Sequence, residues 1–297
     1  MNQIKKVLFI INKYSGTGYR PDVEGRIVDT CISHDAECTL EFTKDRGHAI
    51  ELARQGVGQF DVIAAVGGDG TINEVAQGLV HQNTIMGIIP RGSGNGLARH
   101  LGIPLDIAGA VNTLFEGSSI KMDTFTINGR RSLNVSGIGF DGHVANHFGK
   151  NGKRGLVNYT RLTLAEYARF QEFEADLVID DSAFSTRNFI IAIANSSQYG
   201  NNARIAPYAS VCDAKLNVCL INKVPPYRID FISLLFRGRI HETAFCQIRE
   251  AGTLTVRANQ AIPYHVDGEP CGTEKSFEVS IDSASLRVAV PATKKRI

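Results

Sequence analysis

Residues 62–74, VIAAVGGDGTINE, carry the stretch that decides the fold of the first part of the chain. The first five of these residues are all apolar, which is typical of a strand buried on both faces of a parallel sheet. Three glycines around Asp69 let the backbone turn sharply and come close to an anion. Helical spacing follows over residues 72–80, so the pattern predicts an anion-binding turn at a helix N-terminus. The alternative is a plain glycine turn capped by Asp69.

A second glycine-rich loop, PRGSGNGLAR at residues 90–99, follows the next predicted strand. Ser93 and Asn95 can hydrogen-bond a nucleotide, while Arg91 and Arg99 can offset phosphate charge. Because the carboxyl ends of parallel strands open on one edge of a sheet, we expect both loops to face one pocket. The pair of loops therefore favours a nucleotide site. The chain lacks G-x-x-x-x-G-K-[ST], which disfavours a P-loop enzyme.

Two carboxylates stand close together much later in the chain, in HVDGEP at residues 265–270. Asp267 and Glu269 flank a glycine, and either residue can act as a base for a hydroxyl or as an oxygen ligand of Mg²⁺. The alternative is an Asp-Gly hairpin turn with an exposed glutamate.

A further glycine-rich segment, GIGFDG at residues 137–142, matches the dinucleotide pattern G-x-G-x-x-G. It follows a predicted strand, but no convincing helix opens after it and no βαβ unit surrounds it. We therefore expect no dinucleotide site at these residues.

The hydrophobic pattern changes near residue 120. Before it, continuous apolar runs alternate with helical stretches, which indicates a parallel sheet covered on both faces. After it, short strands follow one another closely with turn signals such as Asn128-Gly129. The sequence predicts an α/β domain over 1–121 and an all-β domain over 122–297. In the second domain the sequence predicts two late strands, at residues 276–281 and 286–290. It also predicts two helices, at residues 156–170 and 228–236.

Composition and charge exclude several classes of protein. The chain has 297 residues, of which 43% are hydrophobic and 21% charged, so a mainly disordered state is excluded. Lys and Arg number 32 against 30 Asp and Glu, and this net charge of +2 argues against a nucleic-acid partner. No apolar run reaches the roughly 18 residues that span a bilayer. Six scattered cysteines without a C-x-x-C pair indicate reduced thiols in a cytoplasmic protein.

Four motifs occur together in a fixed order: GGDGTINEV at 67–75, PRGSGNGLA at 90–98, GIGFD at 137–141 and VDGEP at 266–270. This ordered set resembles the diacylglycerol kinase catalytic-domain family, which includes bacterial lipid kinases and the sphingosine and ceramide kinases. The resemblance implies an N-terminal parallel-sheet nucleotide domain, a C-terminal β-sandwich and an active site in the cleft between them. In such folds the last strand often packs back on the first domain, so residues 286–297 are expected to do so here.

The resemblance implies ATP and Mg²⁺ as cofactors and assigns residues to them. The implied ATP-binding residues are Asn12, Thr43, Gly67, Gly68, Asp69, Gly70, Thr71, Ile72, Asn73, Arg91, Ser93 and Asn95. Asp69 would also organise Mg²⁺. The family usually has Asn-Pro where this chain has Asn12-Lys13, and Lys13 can still face a phosphate.

The resemblance also implies a catalytic group and a substrate contact. Glu269 matches the proton acceptor for the lipid hydroxyl, with Asp267 as its neighbour, and Asp141 matches an acidic position near the lipid head group. The chain has Asn95-Gly96 where bacterial diacylglycerol kinases usually have Asn-Asp, which tilts the substrate toward a sphingoid base.

A structural Mg²⁺ site is implied at Asp213, completed by backbone oxygens of Ser210 and Lys215. The family motif continues Asp-Gly, whereas this chain has Asp213-Ala214. If that position requires a positive φ, the alanine is strained there.

The sequence thus predicts an ATP- and Mg²⁺-dependent lipid kinase. Its partners would be a lipid substrate and, peripherally, a membrane surface, with the oligomeric state left open. Residues 228–236 form either an interfacial helix or a buried one. A soluble-substrate kinase of the NAD-kinase type and a non-catalytic module that senses nucleotide or lipid are the alternatives.

Overall fold

The computed structural model describes residues 4–16, 22–148, 156–228 and 230–292, and only the backbone over 156–160. By the density of internal contacts the chain divides into two compact units. Unit 1 comprises Met1–Asp123 and Ser283–Ile297, and unit 2 comprises Thr124–Asp282.

Unit 1 is a parallel α/β structure. Its elements are β1 (Lys6–Ile11), α1 (Asp22–Ser33), β2 (Glu37–Phe42), α2 (His48–Gly56), β3 (Val62–Gly67), α3 (Asp69–Leu79), β4 (Ile85–Pro90), α4 (Gly96–His100) and α5 (Ile107–Glu116). β5 (Ser118–Ile127) and β14 (Glu269–Val290) each contribute residues to both units. The strand order is β14-β4-β3-β1-β2, and every neighbouring pair is parallel.

The burial of these strands follows from the helices beside them. All six residues of β3 are buried, and so are five of the six in β1 and in β4. α1 packs with α5, and α2 with α3. Strands covered on both faces tolerate only apolar side chains, which explains the continuous runs VLFII and VIAAV.

The strand order places a crevice at the carboxyl ends of β1 and β3. From β1 the chain passes to β2 on one side, and β3 then joins β1 on the other side. The connections therefore diverge at this point of the sheet, and open α/β sheets bind their ligands where this happens.

Unit 2 is mainly antiparallel. Its elements are β6 (Arg130–Ser132), β7 (Val135–Gly139), α6 (Phe140–His147), α7 (Leu156–Tyr167), β8 (Phe173–Ile179), β9 (Ser182–Asn188), β10 (Ile190–Ala194), β11 (Leu216–Ile221), α8 (Asp230–Arg237), a 3₁₀ turn (Ile240–Glu242), β12 (Cys246–Ala251) and β13 (Thr253–Val266). Strands pair in the order β12-β11-β10-β7-β13-β14, with β8 also on β13, β9 on β8 and β6 on β5. Alternate residues of β8 are buried, so one of its faces lies on the core.

Several predicted elements need correction. A helix does open directly after residues 137–139: α6 begins at Phe140, because Gly139 has φ of 108° and turns the chain sharply. The two late strands predicted separately are one strand, β14. The hairpin turn predicted at Asn128-Gly129 is confirmed, with positive φ at both residues.

The cysteines form no disulfide, and all six lie within the described residues. Burial raises the pKa of both Cys31 and Cys246 to about 12, so these thiols stay protonated at neutral pH.

The glycine at position 137 has a steric reason. A Cβ there would lie 1.7 Å from a carboxylate oxygen of Asp141. We expect Gly137→Ala to lower the free energy of unfolding by about 1–3 kcal/mol, because the buried carboxylate must move. Gly25→Ala is the matched control, since a Cβ at this exposed position of α1 meets nothing within 4 Å. The control should stabilise the protein by about 0.5–1 kcal/mol in urea unfolding followed by circular dichroism.

Candidate functional site

The loop after β1 is tied to the first turn of α3 in unit 1. The Asn12 side-chain amide donates to Thr71 Oγ1 at 3.0 Å, and the Asn12 N–H donates to the Val66 carbonyl at 3.0 Å. Gly68 N–H donates to Ser15 Oγ at 3.4 Å. These bonds fix the carboxyl ends of β1 and β3 together at the crevice.

The two glycine-rich loops touch each other. Arg91 N–H donates to the Gly67 carbonyl at 2.7 Å. A Cβ added to Gly92 would lie 2.8 Å from the Cα of Gly68, so the loops approach too closely for a side chain there. The predicted neighbouring position of the loops is therefore confirmed, and glycine is needed because backbone packs on backbone.

Asp69 joins the two loops. Its carboxylate accepts the N–H of Asn95 at 3.1 Å and the N–H of Gly96 at 3.0 Å, one on each oxygen. The residue thus positions the second loop, a role that the sequence pattern did not reveal. A carboxylate at such a position is also a suitable ligand for a hard cation, directly or through water.

Asn95 shapes the second loop from inside. It is buried, has φ of 49°, and its side chain forms two bonds with the Gly92 backbone, at 2.8 and 2.9 Å. Ser93 beside it is exposed. Arg99 donates to the Gly94 carbonyl at 3.1 Å, so it too supports the loop.

The N-terminus of α3 is suited to an anion. Its N-cap is Gly68, which has no side chain to cap the first turn, and the N–H groups of that turn carry the positive end of the helix dipole. Nearby, Thr43 N–H donates to the Ile11 carbonyl at 3.0 Å, and Lys13 lies 3.8 Å above the Phe42 ring.

Burial lowers the pKa of His100, which ends α4, to about 4, so this side chain is neutral at pH 7.

In unit 2 the turn after β13 has the geometry of a two-residue hairpin. Asp267 and Gly268 have φ of 49° and 85°, between the paired residues Val266 and Glu269. Glu269 is exposed. The stretch therefore forms an Asp-Gly hairpin turn with an exposed glutamate, one of the two alternatives that the sequence allows, but the aspartate does more than turn the chain.

The Asp267 carboxylate is held by the last residue of β6 and the two residues between β6 and β7. It accepts Ser132 Oγ at 2.6 Å, Leu133 N–H at 2.9 Å and Asn134 N–H at 3.0 Å. The Asp267 N–H in turn donates to Ser136 Oγ at 3.2 Å. Asp267 therefore anchors the turn that presents Glu269.

A buried polar group supports the same turn from the other side. Gly268 N–H donates to His265 Nδ1 at 3.0 Å, so the second ring nitrogen carries the proton of the neutral imidazole. That nitrogen lies 3.4 Å from an Asp141 oxygen, which also accepts the Tyr199 hydroxyl at 3.0 Å. The other Asp141 oxygen accepts Gly142 N–H at 2.8 Å. Asp141 is almost fully buried, and its carboxylate forms hydrogen bonds with groups of the protein itself.

The implied magnesium residues lie in the loop before β11. Asp213 accepts the Lys215 N–H at 3.1 Å, and Ser210 Oγ accepts the Cys212 N–H at 3.3 Å. The hydrogen bond and charge of Glu250 raise the pKa of Lys215. In the described parts of the chain, no three His, Cys, Asp or Glu side chains gather as a metal cluster.

The concern about Ala214 is confirmed, since it has φ of 59°. We expect Ala214→Gly to raise the free energy of unfolding by about 0.5–1 kcal/mol, because glycine removes the left-handed strain. Ala244→Gly is the control: it is exposed in the same unit without a positive φ, so it should gain nothing. Urea unfolding of both variants, measured with and without MgCl₂, checks the result. An equal loss of the free energy of unfolding in the two variants would contradict it.

The structure brings the predicted residues together in two groups. Around the crevice of unit 1 lie Asn12, Gly67, Gly68, Asp69, Thr71, Arg91 and Asn95. In unit 2 the turn of Asp267 and Glu269 is linked through His265 to Asp141. Sequence reasoning missed Ser132, His265 and Tyr199, whose roles depend on contacts far apart in the chain.

None of the helices in the described ranges has the length and apolar character needed to cross a bilayer.

Comparison with known proteins gives two family matches. Residues 6–127 match the family described as "Diacylglycerol kinase catalytic domain". Residues 134–290, more than half of the chain, match the "YegS C-terminal NAD kinase beta sandwich-like domain".

Individual relatives agree with these matches. A "Probable lipid kinase YegS-like" of Chromohalobacter salexigens is 27% identical over 85% of this chain and 83% of the relative. A "Diacylglycerol kinase" of Bacillus subtilis is 24% identical over 90% of each. A solved diacylglycerol kinase structure from Bacillus anthracis has a TM-score of 0.75 at 19% identity and covers 98% of both chains, which supports the fold. The chain therefore belongs to the lipid kinase family that shares the diacylglycerol kinase catalytic domain and the YegS-type β-sandwich domain, and it is a kinase.

Proposed function

We propose that this enzyme transfers the γ-phosphoryl group of ATP to the hydroxyl of a lipid, with Mg²⁺ as cofactor. The observation that carries the proposal is the pair of glycine loops joined by Asp69 at the crevice of unit 1. Such an arrangement fits a polyphosphate, since it offers backbone N–H groups, a helix N-terminus and a carboxylate for a cation.

The residues of unit 1 would bind the nucleotide. We assign the phosphates to the backbone of residues 67–73, with Asn12 and Thr71 fixing the crevice. Arg91 would supply positive charge, and Ser93, which is exposed on the second loop, would contact the nucleotide. Asp69 would hold Mg²⁺, which neutralises phosphate charge when bound, while keeping the second loop in place.

The residues of unit 2 would serve the acceptor. Glu269 would accept the hydroxyl proton, because it is exposed on a turn that is held rigidly. Asp267 is better suited to position this turn than to accept a proton, since three donors already converge on its carboxylate. Asp141 would contribute to binding the head group indirectly, by positioning His265 and Tyr199. Alternatively, its side chain would move so that one carboxylate oxygen contacts the head group directly.

The proposal is tested by transfer of radiolabelled γ-phosphate from ATP with Mg²⁺. Mixed micelles would present diacylglycerol, sphingosine, ceramide, monoacylglycerol or phosphatidylglycerol, with NAD as the soluble control. Label in one lipid would identify the reaction and the acceptor class together. Label in NAD alone would overturn the lipid acceptor, and ATP binding without transfer to any acceptor would favour a sensing module.

A further inference from the structure

The two sides of α8 differ in what they contact. Phe231, Leu234 and Leu235 pack against a core cluster of unit 2. Ile232 and Phe236, four residues apart and therefore on the same side, are 56% and 50% exposed. The prediction for this segment offered an interfacial or a buried helix, and the structure shows a helix that packs one side against the core without fully burying any of its residues.

Exposed apolar side chains concentrate around this helix. Of the nine large apolar or aromatic residues that are exposed in the described parts of the chain, four lie in or beside α8. Two of them are Ile232 and Phe236; Tyr227 precedes the helix, and the Tyr208 ring lies 5.1 Å from that of His241 in the following turn. Scattered single residues need no explanation, but a cluster marks an interaction surface.

The charge around this helix is positive. Residues 204–208 and 227–242 contain four arginines and two carboxylates. Both carboxylates are engaged in ion pairs, Asp230 with Arg228 and Glu242 with Arg239. The two remaining arginines are Arg204 and Arg237, and the described residues show no ion pair for either of them. Arg204 lies beside the helix, because its backbone N–H donates to the Leu235 carbonyl at 3.1 Å.

The side of α8 that faces solvent, with its neighbours, is called here the α8 face. It consists of Arg204, Tyr208, Tyr227, Ile232, Phe236 and Arg237.

We propose that the α8 face docks on the surface of an anionic lipid bilayer. Aliphatic and aromatic side chains bury themselves at the boundary between head groups and acyl chains, where tyrosine is also favoured. Arginines beside them attract anionic head groups. A second copy of this chain fits less well, because a symmetric contact would place the same positive charges against each other. The inference deepens the proposed function, since a lipid acceptor resides in such a bilayer.

The test is flotation of the full-length protein with vesicles, without any nucleotide. Vesicles of phosphatidylglycerol mixed with phosphatidylcholine are compared with vesicles of phosphatidylcholine alone. We expect binding to the anionic vesicles only, weakened in about 0.5 M NaCl, where the Debye length falls below about 5 Å. Ile232→Ser combined with Phe236→Ser should lower the partition coefficient by about tenfold or more. Arg237→Gln should lower it by about fivefold.

The control removes a comparable pair of exposed apolar side chains elsewhere. Ile32→Ser combined with Leu105→Ser removes residues that are 69% and 42% exposed in unit 1, and it should bind vesicles like the wild type. The α8 double variant should also keep the wild-type turnover of a short-chain acceptor dissolved as a monomer, which shows that it is folded.

The outcomes separate this inference from the proposed function, because vesicle binding needs no turnover. Wild-type protein that ignores anionic vesicles, or a double variant that binds them equally well, would overturn the α8 face as the docking surface. A wild-type dimer that becomes monomeric in the double variant, with vesicle binding unchanged, would assign the surface to a second copy instead.

Discussion

Glu269→Gln is expected to lower kcat for phosphoryl transfer by about 10²–10⁴-fold while the Kd for ATP stays within about twofold. The glutamine keeps the size of the side chain but cannot accept the hydroxyl proton. Because Asp267 and His265 hold the turn independently of residue 269, the fold and the nucleotide loops should be unaffected. The measurement combines steady-state kinetics on the lipid identified by the label-transfer screen with calorimetric titration of ATP.

Glu274→Gln is the matched control for this variant. Glu274 is also an exposed glutamate of β14 and lies five residues further along the strand. It should leave kcat within about twofold of the wild type, since a surface charge of this kind has little effect. Full activity of Glu269→Gln would show that another group accepts the proton.

Asp69→Asn is expected to lower kcat/KM by about 10³-fold or more and to weaken ATP binding by about 10–100-fold. The asparagine can accept only one of the two N–H bonds from Asn95 and Gly96, and its amide directs a donor at the other. The second loop therefore loses part of its attachment to the first, and the negative charge that would hold Mg²⁺ disappears. The free energy of unfolding should fall by about 1–3 kcal/mol.

Asp106→Asn is the control for Asp69→Asn. Asp106 also accepts a backbone N–H, from Gly109 at 2.8 Å at the start of α5, and asparagine caps a helix about as well. It should change ATP binding by less than about twofold. The chain contains no tryptophan, so calorimetry or a fluorescent nucleotide analogue is the suitable readout. Unchanged ATP binding in Asp69→Asn would remove the central support for the proposed function.

Local sequence pattern was sufficient to predict the parallel part of the fold. β3 and β4 are continuous apolar runs followed by glycine turns, and both the burial and the turn are decided by neighbouring residues. The same holds for the Asn128-Gly129 hairpin, whose backbone geometry follows from two residue types. The meeting of the two glycine loops could be predicted because parallel strands end on the same edge.

What could not be predicted depends on partners distant in the chain. α6 contains glycine and β-branched valine, which disfavour a helix, and it is stabilised because Phe140 and Val144 pack with Phe189 in an aromatic cluster. The Asp267 carboxylate binds Ser132, 135 residues earlier, and no local pattern indicates such a contact. The sequence pattern singled out Asp69, yet its bonds to the second loop were visible only in three dimensions.

The parallel register of β14 with β4 affects how this protein is made. Val288 pairs with Met86, so the strand that completes the sheet of unit 1 is synthesised only after the whole of unit 2. Until then β4 exposes an unpaired edge, which is a template for aggregation. A nascent chain stopped between β5 and β14 would already contain both glycine loops and still lack this strand. We therefore expect premature termination to yield insoluble fragments rather than a free nucleotide-binding domain.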